Sequence, residues 1–209
     1  MLIQGIVGQP SAYPDSSTPV IARVGDMGEL MVSGLHGDHF EQTYRRNVFN
    51  SANQTGTVTT VGLATTYTGL ILSNPLSSTV NLAINKVGVS FLVAFPASAA
   101  IGLMSGYSST TNVTHTTPSA ILCSSIGSGS VSQARVDVAA TMPVAPVVHS
   151  IIGAGLTGAI TTAPTSTIQI VDYAGSIVIP PGGYVAIYTS TVSGAASMFA
   201  SFEWEEVPF

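Results

Sequence analysis

The 209 residues suffice for one generous domain, or one domain with an arm, that buries roughly 70% of the surface its unfolded chain exposes. Only 7% of them are charged, against about 25% in an ordinary soluble domain, and Gly, Ser, Thr, Ala and Val take up the difference. A net charge of -5 with five basic residues in all leaves no Lys/Arg cluster to neutralise phosphates, so no nucleic-acid partner is expected.

A single cysteine, Cys123, excludes an intrachain disulfide framework and a multi-cysteine zinc site. The N-terminal "MLIQGIVGQPSAYPD" has no basic region followed by a long apolar stretch and does not read as a signal peptide. Charge then divides the chain. Residues 1–50 carry Asp15, Arg23, Asp26, Glu29, Asp38, Glu41, Arg45 and Arg46, whereas 51–202 carry only Lys86, Arg135, Asp137 and Asp172. The first part is also broken by "GQPSAYPDSSTP", "GDMGE" and "SGLHGDHF". It is expected to be an extended arm with short strands over 1–56, ordered by lying on a partner.

From 57 to 209 the pattern is that of short β-branched strands between Gly, Pro, Asn and Ser turns. It predicts an all-β, antiparallel, jelly-roll-like sandwich. "TVTTVGLATTYTGLILSNP" gives a Thr-rich strand closed by an Asn-Pro turn, and "TVNLAINKV" places Val80, Leu82 and Ile84 on one face. The uncharged run 87–104 is long enough for a membrane span. The period-2 recurrence of Val87, Val89, Phe91, Val93 and Phe95, and the break at Pro96, predict a buried strand and a loop instead, with no membrane partner. "TTPSAILCSSI" allows a turn or two of helix. "SQARVDVAAT", "PVVHSIIGAG" and "TIQIVDY" continue as strands.

"SIVIPPGGYVAIYTS", residues 176–190, reads as strand, corner and strand. Tyr184, Ala186 and Tyr188 fall on one side of the second strand, and Val185 and Ile187 on the other, with no charge on either. Both faces must therefore be covered, by the chain's own sheets or by a second copy of the chain. In the last strand Met198, Ala200, Phe202 and Trp204 share one face. Phe199, Ser201, Glu203 and Glu205 share the other, and the far end is expected to emerge into water.

Little of this is catalytic. No Gly-x-Ser-x-Gly elbow accompanies the many serines. His149 sits in apolar flanks as a core or interface histidine, and His115 in a loop. His36, Asp38, His39 and Glu41 are ligand types suited to a divalent cation, but Gly34 and Gly37 argue against a helical His-x-x-His face. A polar loop paired to Arg45 and Arg46 is the expectation. In the sandwich, Asp137, Asp172, Glu203, Glu205 and Glu206 are the acids available for glycoside hydrolysis, and the scattered Tyr67, Tyr107 and Tyr173 for stacking on a sugar. No enzyme activity, cofactor or metal is expected.

The stretches "ARVGDMGELMVSGLHGDHFEQTYRRNVFN" and "IPPGGYVAIYTSTVSGAASMFASFEWEEVP" resemble small virion structural proteins of tailed bacteriophages, of jelly-roll type. The likeness is clearest in "IPPGGYVA" and "FASFEWEE", covers about half of the chain and leaves 100–165 outside it. It implies a particle component made in the bacterial host cytoplasm. A capsid cement or decoration protein, commonly trimeric, would bind the major capsid protein or other virion proteins through the arm. The alternative is a receptor- or carbohydrate-binding fibre or tail module using loops 105–120 or 125–133. Low charge and strands apolar on both faces agree with a protomer of a permanent assembly. Phe40, Tyr44, Arg45 and Arg46, with Tyr184 and Tyr188, are the expected interface residues, because aromatics and Arg anchor interfaces.

Overall fold

The computed structural model describes residues 4–6, 19–21, 38–158 and 169–209. Two short strands, β1 (Gln4–Ile6) and β2 (Pro19–Ile21), pair antiparallel, and a single helical turn, α1 (Phe40–Tyr44), follows. The body is built from β3 (Val48–Ala52), β4 (Thr66–Ser73), β5 (Val80–Phe91), β6 (Ala99–Tyr107), β7 (Thr114–Pro118) and β8 (Leu122–Cys123). It is completed by β9 (Arg135–Thr141), β10 (Val147–Gly155), β11 (Gln169–Ile179), β12 (Gly183–Thr189) and β13 (Met198–Pro208).

These strands make two facing antiparallel sheets, ordered β10-β6-β12-β4-β9-β7 and β11-β5-β13-β3-β8. The pairings are nested: β3 with β13, β4 with β12, β5 with β11 and β6 with β10. One long hairpin rolled up on itself gives this pattern, so the predicted jelly-roll sandwich is the fold. β3, inside the stretch read as arm, is already a strand of the five-stranded sheet.

The corner at Pro180–Gly183 carries the chain from one sheet to the other. The Gly183 N–H donates to the Pro180 carbonyl at 2.9 Å, with Pro181 and Gly182 between them. Gly182 has φ +86°, the left-handed backbone that the third position of a type II turn requires. A side chain there would also sit 2.2 Å from the Ser108 carbonyl oxygen. Buried Asn74 ties the corner down by donating to the Val80 and Ile179 carbonyls at 2.8 and 3.0 Å.

The period-2 reading of the core strands is borne out, with one irregularity. Val80, Leu82 and Ile84 point inward, and so do Val87 and Val89, although the parity should have flipped. Lys86 pairs with Asp172 on one side and Glu203 on the other, and Ile84 pairs with Ile177 and Trp204, so Asn85 is an extra residue against β13, whereas against β11 the surplus is on the partner, residues 173–176. This bulge keeps both halves of β5 in the core and turns Lys86 outward. Met198, Ala200, Phe202 and Trp204 are buried as expected, and Trp204 stacks on Phe49 with ring centroids 6.2 Å apart.

Several expectations need correcting. The uncharged run 87–104 is strand, loop and strand, but β5 ends at Phe91, and Val93 and Phe95 lie in the loop, from which Phe95 still packs into the core. Among the described residues no helix is long and apolar enough to cross a membrane. "TTPSAILCSSI" holds no helix. It contains the end of β7 and all of β8, because its backbone groups are taken up by β9 and β3. The far end of β13 does not simply emerge into water. Glu206 is buried and accepts hydrogen bonds from the Ser132 hydroxyl and from the Gln133 and Ala134 N–H groups, the latter two at 2.9 and 3.4 Å.

Both sides of β12 are covered by the chain itself. Val185 and Ile187 lie between the sheets. On the outer side, the excursion between β6 and β10 returns over the six-stranded sheet. Val113 and Met142 pack there with Tyr67, Ile71, Met104, Ala140, Tyr184 and Ala186 as a second small core. The Tyr184 hydroxyl donates to the Val144 carbonyl at 2.6 Å, and that of Tyr67 to the Ile187 carbonyl at 2.7 Å.

Burial pushes the Tyr184 phenol up to about 12 and the Tyr67 phenol higher still, despite the hydrogen bond that Tyr67 makes to Ile187. Both folded values lie above the ordinary 10.0, so the unfolded chain loses its protons first as pH rises. Stability from these two groups is complete below about pH 10 and is lost progressively above it. A melting temperature that falls through this alkaline range, with a shallower fall in Tyr184→Phe, is the expected result. At neutral pH the same substitution costs about 0.5–1.5 kcal/mol for the lost hydrogen bond.

Candidate functional site

Three features on the described surface could meet a partner: the root of the arm, a groove on the five-stranded sheet, and an apolar strip along β10.

At the arm root, the i, i+4 spacing on α1 brings Phe40 and Tyr44 together with ring centroids 5.9 Å apart, and both are partly exposed. The Arg45 guanidinium bonds Glu41 at 2.7 Å, one turn back on the same helix. Arg46 ends the turn with φ +68°, a conformation an L-residue adopts at a cost of roughly 1–2 kcal/mol. Its carbonyl there accepts from Ser130 Oγ at 3.4 Å and Cys123 Sγ at 3.8 Å, which ties the loop after β8 to the helix. Ile126 and Val131 on that loop are almost fully exposed. His39 precedes α1 and faces Glu205, whose carboxyl is raised by burial and drawn back down by the imidazole. His36 lies outside the described residues, and among those described no three His, Cys, Asp or Glu side chains gather as a metal site.

The six expected interface residues therefore do not form one patch. Phe40, Tyr44, Arg45 and Arg46 share the arm root. Tyr184 is buried in the outer small core, so its surface is already spent within the chain, and Tyr188 is half-buried beside that core on the six-stranded sheet.

The groove has a volume of about 490 Å³ on the outer face of the five-stranded sheet. Its floor is small residues brought level by strand register: Ala52 opposite Ser201, and Ser201 opposite Gly88. A Cβ at position 88 would lie 2.9 Å from Ser201 Oγ, so a larger residue there would displace that hydroxyl and make the groove shallower. Phe199 and the exposed Ile170 wall it, and Asn50, Lys86 and Glu203 line one end. Glu203 and Lys86 are register partners, yet neither makes an ion pair or side-chain hydrogen bond among the described residues. The alternation on β13 already separated Phe199, Ser201 and Glu203 from the core side, and Gly88 among valines was the sequence mark of a close approach. Their alignment with β3 was not readable, because it is set by the pairing of β13 with a strand distant in sequence.

The strip lies on the other sheet. Ile151 and Tyr188 flank Gly102 in one row, and Val148 stands beside Met104 in the next. Val144, Val148 and Ile151 are between 38% and 60% exposed, branched apolar side chains with no charge among them, whereas Val147, opposite Ser105, takes the other face of β10. His149, expected in the core or an interface, is exposed on this strand, with its Nδ1 hydrogen-bonded to Ser105 Oγ at 3.1 Å.

His115 is not a loop residue. It is on β7, and its Nδ1 bonds the carboxylate of Asp137, which is buried on β9. An ionised carboxylate can only accept, so the imidazole N–H is the donor. Among the described residues the other oxygen, Oδ1, has no partner, and no hydroxyl or thiol is hydrogen-bonded to His115, so the pair has the form of a structural pin. Of the five acids considered for glycoside hydrolysis, Asp137 and Glu206 are buried, whereas Asp172 and Glu203 flank Lys86 in one row of the five-stranded sheet, Asp172 with its Oδ1 taken by the Ala174 N–H at 2.9 Å.

Comparison with known proteins finds no matching family model, no matching curated protein and no matching solved structure.

Proposed function

We propose that this chain is a non-enzymatic structural protein of a tailed-bacteriophage particle, a capsid cement or decoration protein. Its jelly-roll sandwich associates as a homotrimer, and its N-terminal arm reaches onto the major capsid protein or another virion protein. The observation that carries this reading is a sandwich with almost no charge that leaves apolar surface open on both of its sheets, the groove on one and the strip on the other. Exposed apolar patches of this kind mark association surfaces, and permanent assemblies have the more apolar ones. The likeness of "IPPGGYVA" and "FASFEWEE" to phage virion proteins supplies the setting.

Arm-root contact is tested by Arg46→Gly, which relieves the positive φ and removes the guanidinium. The variant should fold with stability equal to wild type or up to about 1 kcal/mol greater. Paired with Tyr44→Ala, it should bind heads of the phage that encodes the chain at least tenfold more weakly in co-sedimentation. Unchanged head binding by the double variant removes the arm root from the contact.

A second reading is a carbohydrate-binding module of a fibre or tail. The groove favours it over the loops first considered, since its volume falls in the range of roughly 300–1,000 Å³ typical of ligand sites. Its apolar floor ends at Asn50, Lys86 and Glu203, which can all hydrogen-bond hydroxyls. Glycan-array binding lost in Glu203→Gln would support this module in place of cement.

A further inference from the structure

We infer that the groove holds a short neutral oligosaccharide lying across the strands of the five-stranded sheet. The inference rests on the second reading above, takes up the groove alone and leaves the strip on the other sheet to contacts between copies.

Register lays the groove out in rows. Ile170, Gly88, Ser201 and Ala52 are successive partners across β11, β5, β13 and β3, and two residues along the same strands Asp172, Lys86, Glu203 and Asn50 are successive partners too. Alternate residues share a face, so the second row stands beside the first as a wall, about 7 Å away. The hollow therefore runs perpendicular to the strands. Ile170, 67% exposed, closes it at β11. From Gly88 to Ala52 the floor crosses two strand spacings, about 10 Å, which is room for about two or three sugar rings.

Along the wall the polar groups alternate. Lys86 donates, the carboxylates of Asp172 and Glu203 on either side accept, and the Asn50 amide does both, its orientation fixed by donation to Ser124 Oγ at 3.0 Å. The Lys86 and Glu203 side chains make no hydrogen bond or ion pair among the described residues. A hydroxyl both donates and accepts, so successive hydroxyls satisfy donors and acceptors set one strand apart, about 4.8 Å. A sugar ring is about as long as that step, and a glycan presents fresh hydroxyls with each ring. An extended peptide repeats its side chains on one face only about every 7 Å and falls out of step.

The faces of a sugar ring carry C–H groups. They suit a floor of Gly88, Ser201 and Ala52, and the ring of Phe199 on the side away from the wall. The wall itself sums to one negative charge, two carboxylates against one ammonium, so it repels a glycan bearing carboxylates or sulfates and accepts a neutral one.

The experiment is a glycan array of neutral and acidic oligosaccharides probed with the full-length chain, followed by calorimetric titration with oligomers of the strongest hit, from one ring upward. The hits should be neutral, and affinity should rise steeply up to about three rings and little beyond. Lys86→Ala and Glu203→Gln should each weaken binding about tenfold, the loss of a hydrogen bond to a charged group. Ser201→Trp should abolish it by filling the hollow. None of these three side chains is buried, so the variants should melt with wild type, and the nearly isosteric Glu203→Gln keeps the test valid even where the tryptophan disturbs the sheet. Hits that survive all three substitutions and vanish when loops 105–120 or 125–133 are replaced overturn the groove site and leave the module reading standing. Acidic hits alone, or a single sugar bound as tightly as its trimer, overturn the inference in the same way. An array without hits overturns both.

Discussion

Replacing His115 by alanine should lower the stability of the folded chain by about 3–5 kcal/mol, because it strands a charge rather than merely deleting a contact. Asp137 is buried on the outer face of the six-stranded sheet, next to Ile71, and among the described residues its only side-chain partner is the His115 imidazole and its other carboxylate oxygen has no hydrogen bond. Once the ring is gone, no partner remains for a group whose desolvation has been fully incurred. The loss should be concentrated in the excursion, since the pair joins β7 to β9 and β9 to the sheet through β4. Denaturant unfolding of His115→Ala should show a lower midpoint, and amide exchange should rise first in 108–146. The double substitution His115→Leu with Asp137→Leu should recover most of the loss, because no charge is then buried. A single variant within about 1 kcal/mol of wild type would mean that solvent reaches Asp137 and that the pair does not pin the excursion.

Trp204→Ala should cost about 3–5 kcal/mol, in the range of buried aromatic truncations. Trp204 is fully buried between the sheets, stacked on Phe49, and it stands at the register step where β13 meets the bulged β5. The surrounding strands cannot collapse into the hole without shifting that step, so little of the cavity is recovered by relaxation. Native stabilities are about 5–15 kcal/mol, so either substitution removes a large part of the whole. Trp204→Phe should cost distinctly less, since it retains the stack on Phe49 and removes an indole N–H that has no partner among the described residues. Urea midpoints of the two variants measure the difference, and equal midpoints would place Trp204 outside the core's critical packing.

The fold was largely legible because it rests on alternation, a local property. The faces of β13, the first half of β5 and both faces of β12 could be read residue by residue, and the Pro-Pro-Gly-Gly corner followed from turn chemistry. Features set by non-local register were not legible. Asn85 looks like any other strand residue until β13 passes it without a partner. His115 and Asp137 become partners only once β7 lies on β9, across two further register shifts. "TTPSAILCSSI" offered too few alternating residues to declare strands, and its backbone pairing came from β9 and β3. Cover for Tyr184 came from Val113 and Met142, in the region where the sequence gives no periodic signal.

The candidate surfaces divide in the same way. Phe40, Tyr44, Arg45 and Arg46 are neighbours in sequence, and a helical turn keeps them together. The groove needs Ala52, Gly88 and Ser201 from three separate strands to come level, and the strip lay in a segment read as a strand whose exposed face the alternation did not single out.

The central claim is that this chain is a protomer whose open apolar surfaces are closed by copies of itself. Native mass of the purified full-length wild-type chain, followed over a dilution series from micromolar to nanomolar, tests it most directly. The account predicts a trimer that persists on dilution. A monomer at every concentration would contradict it.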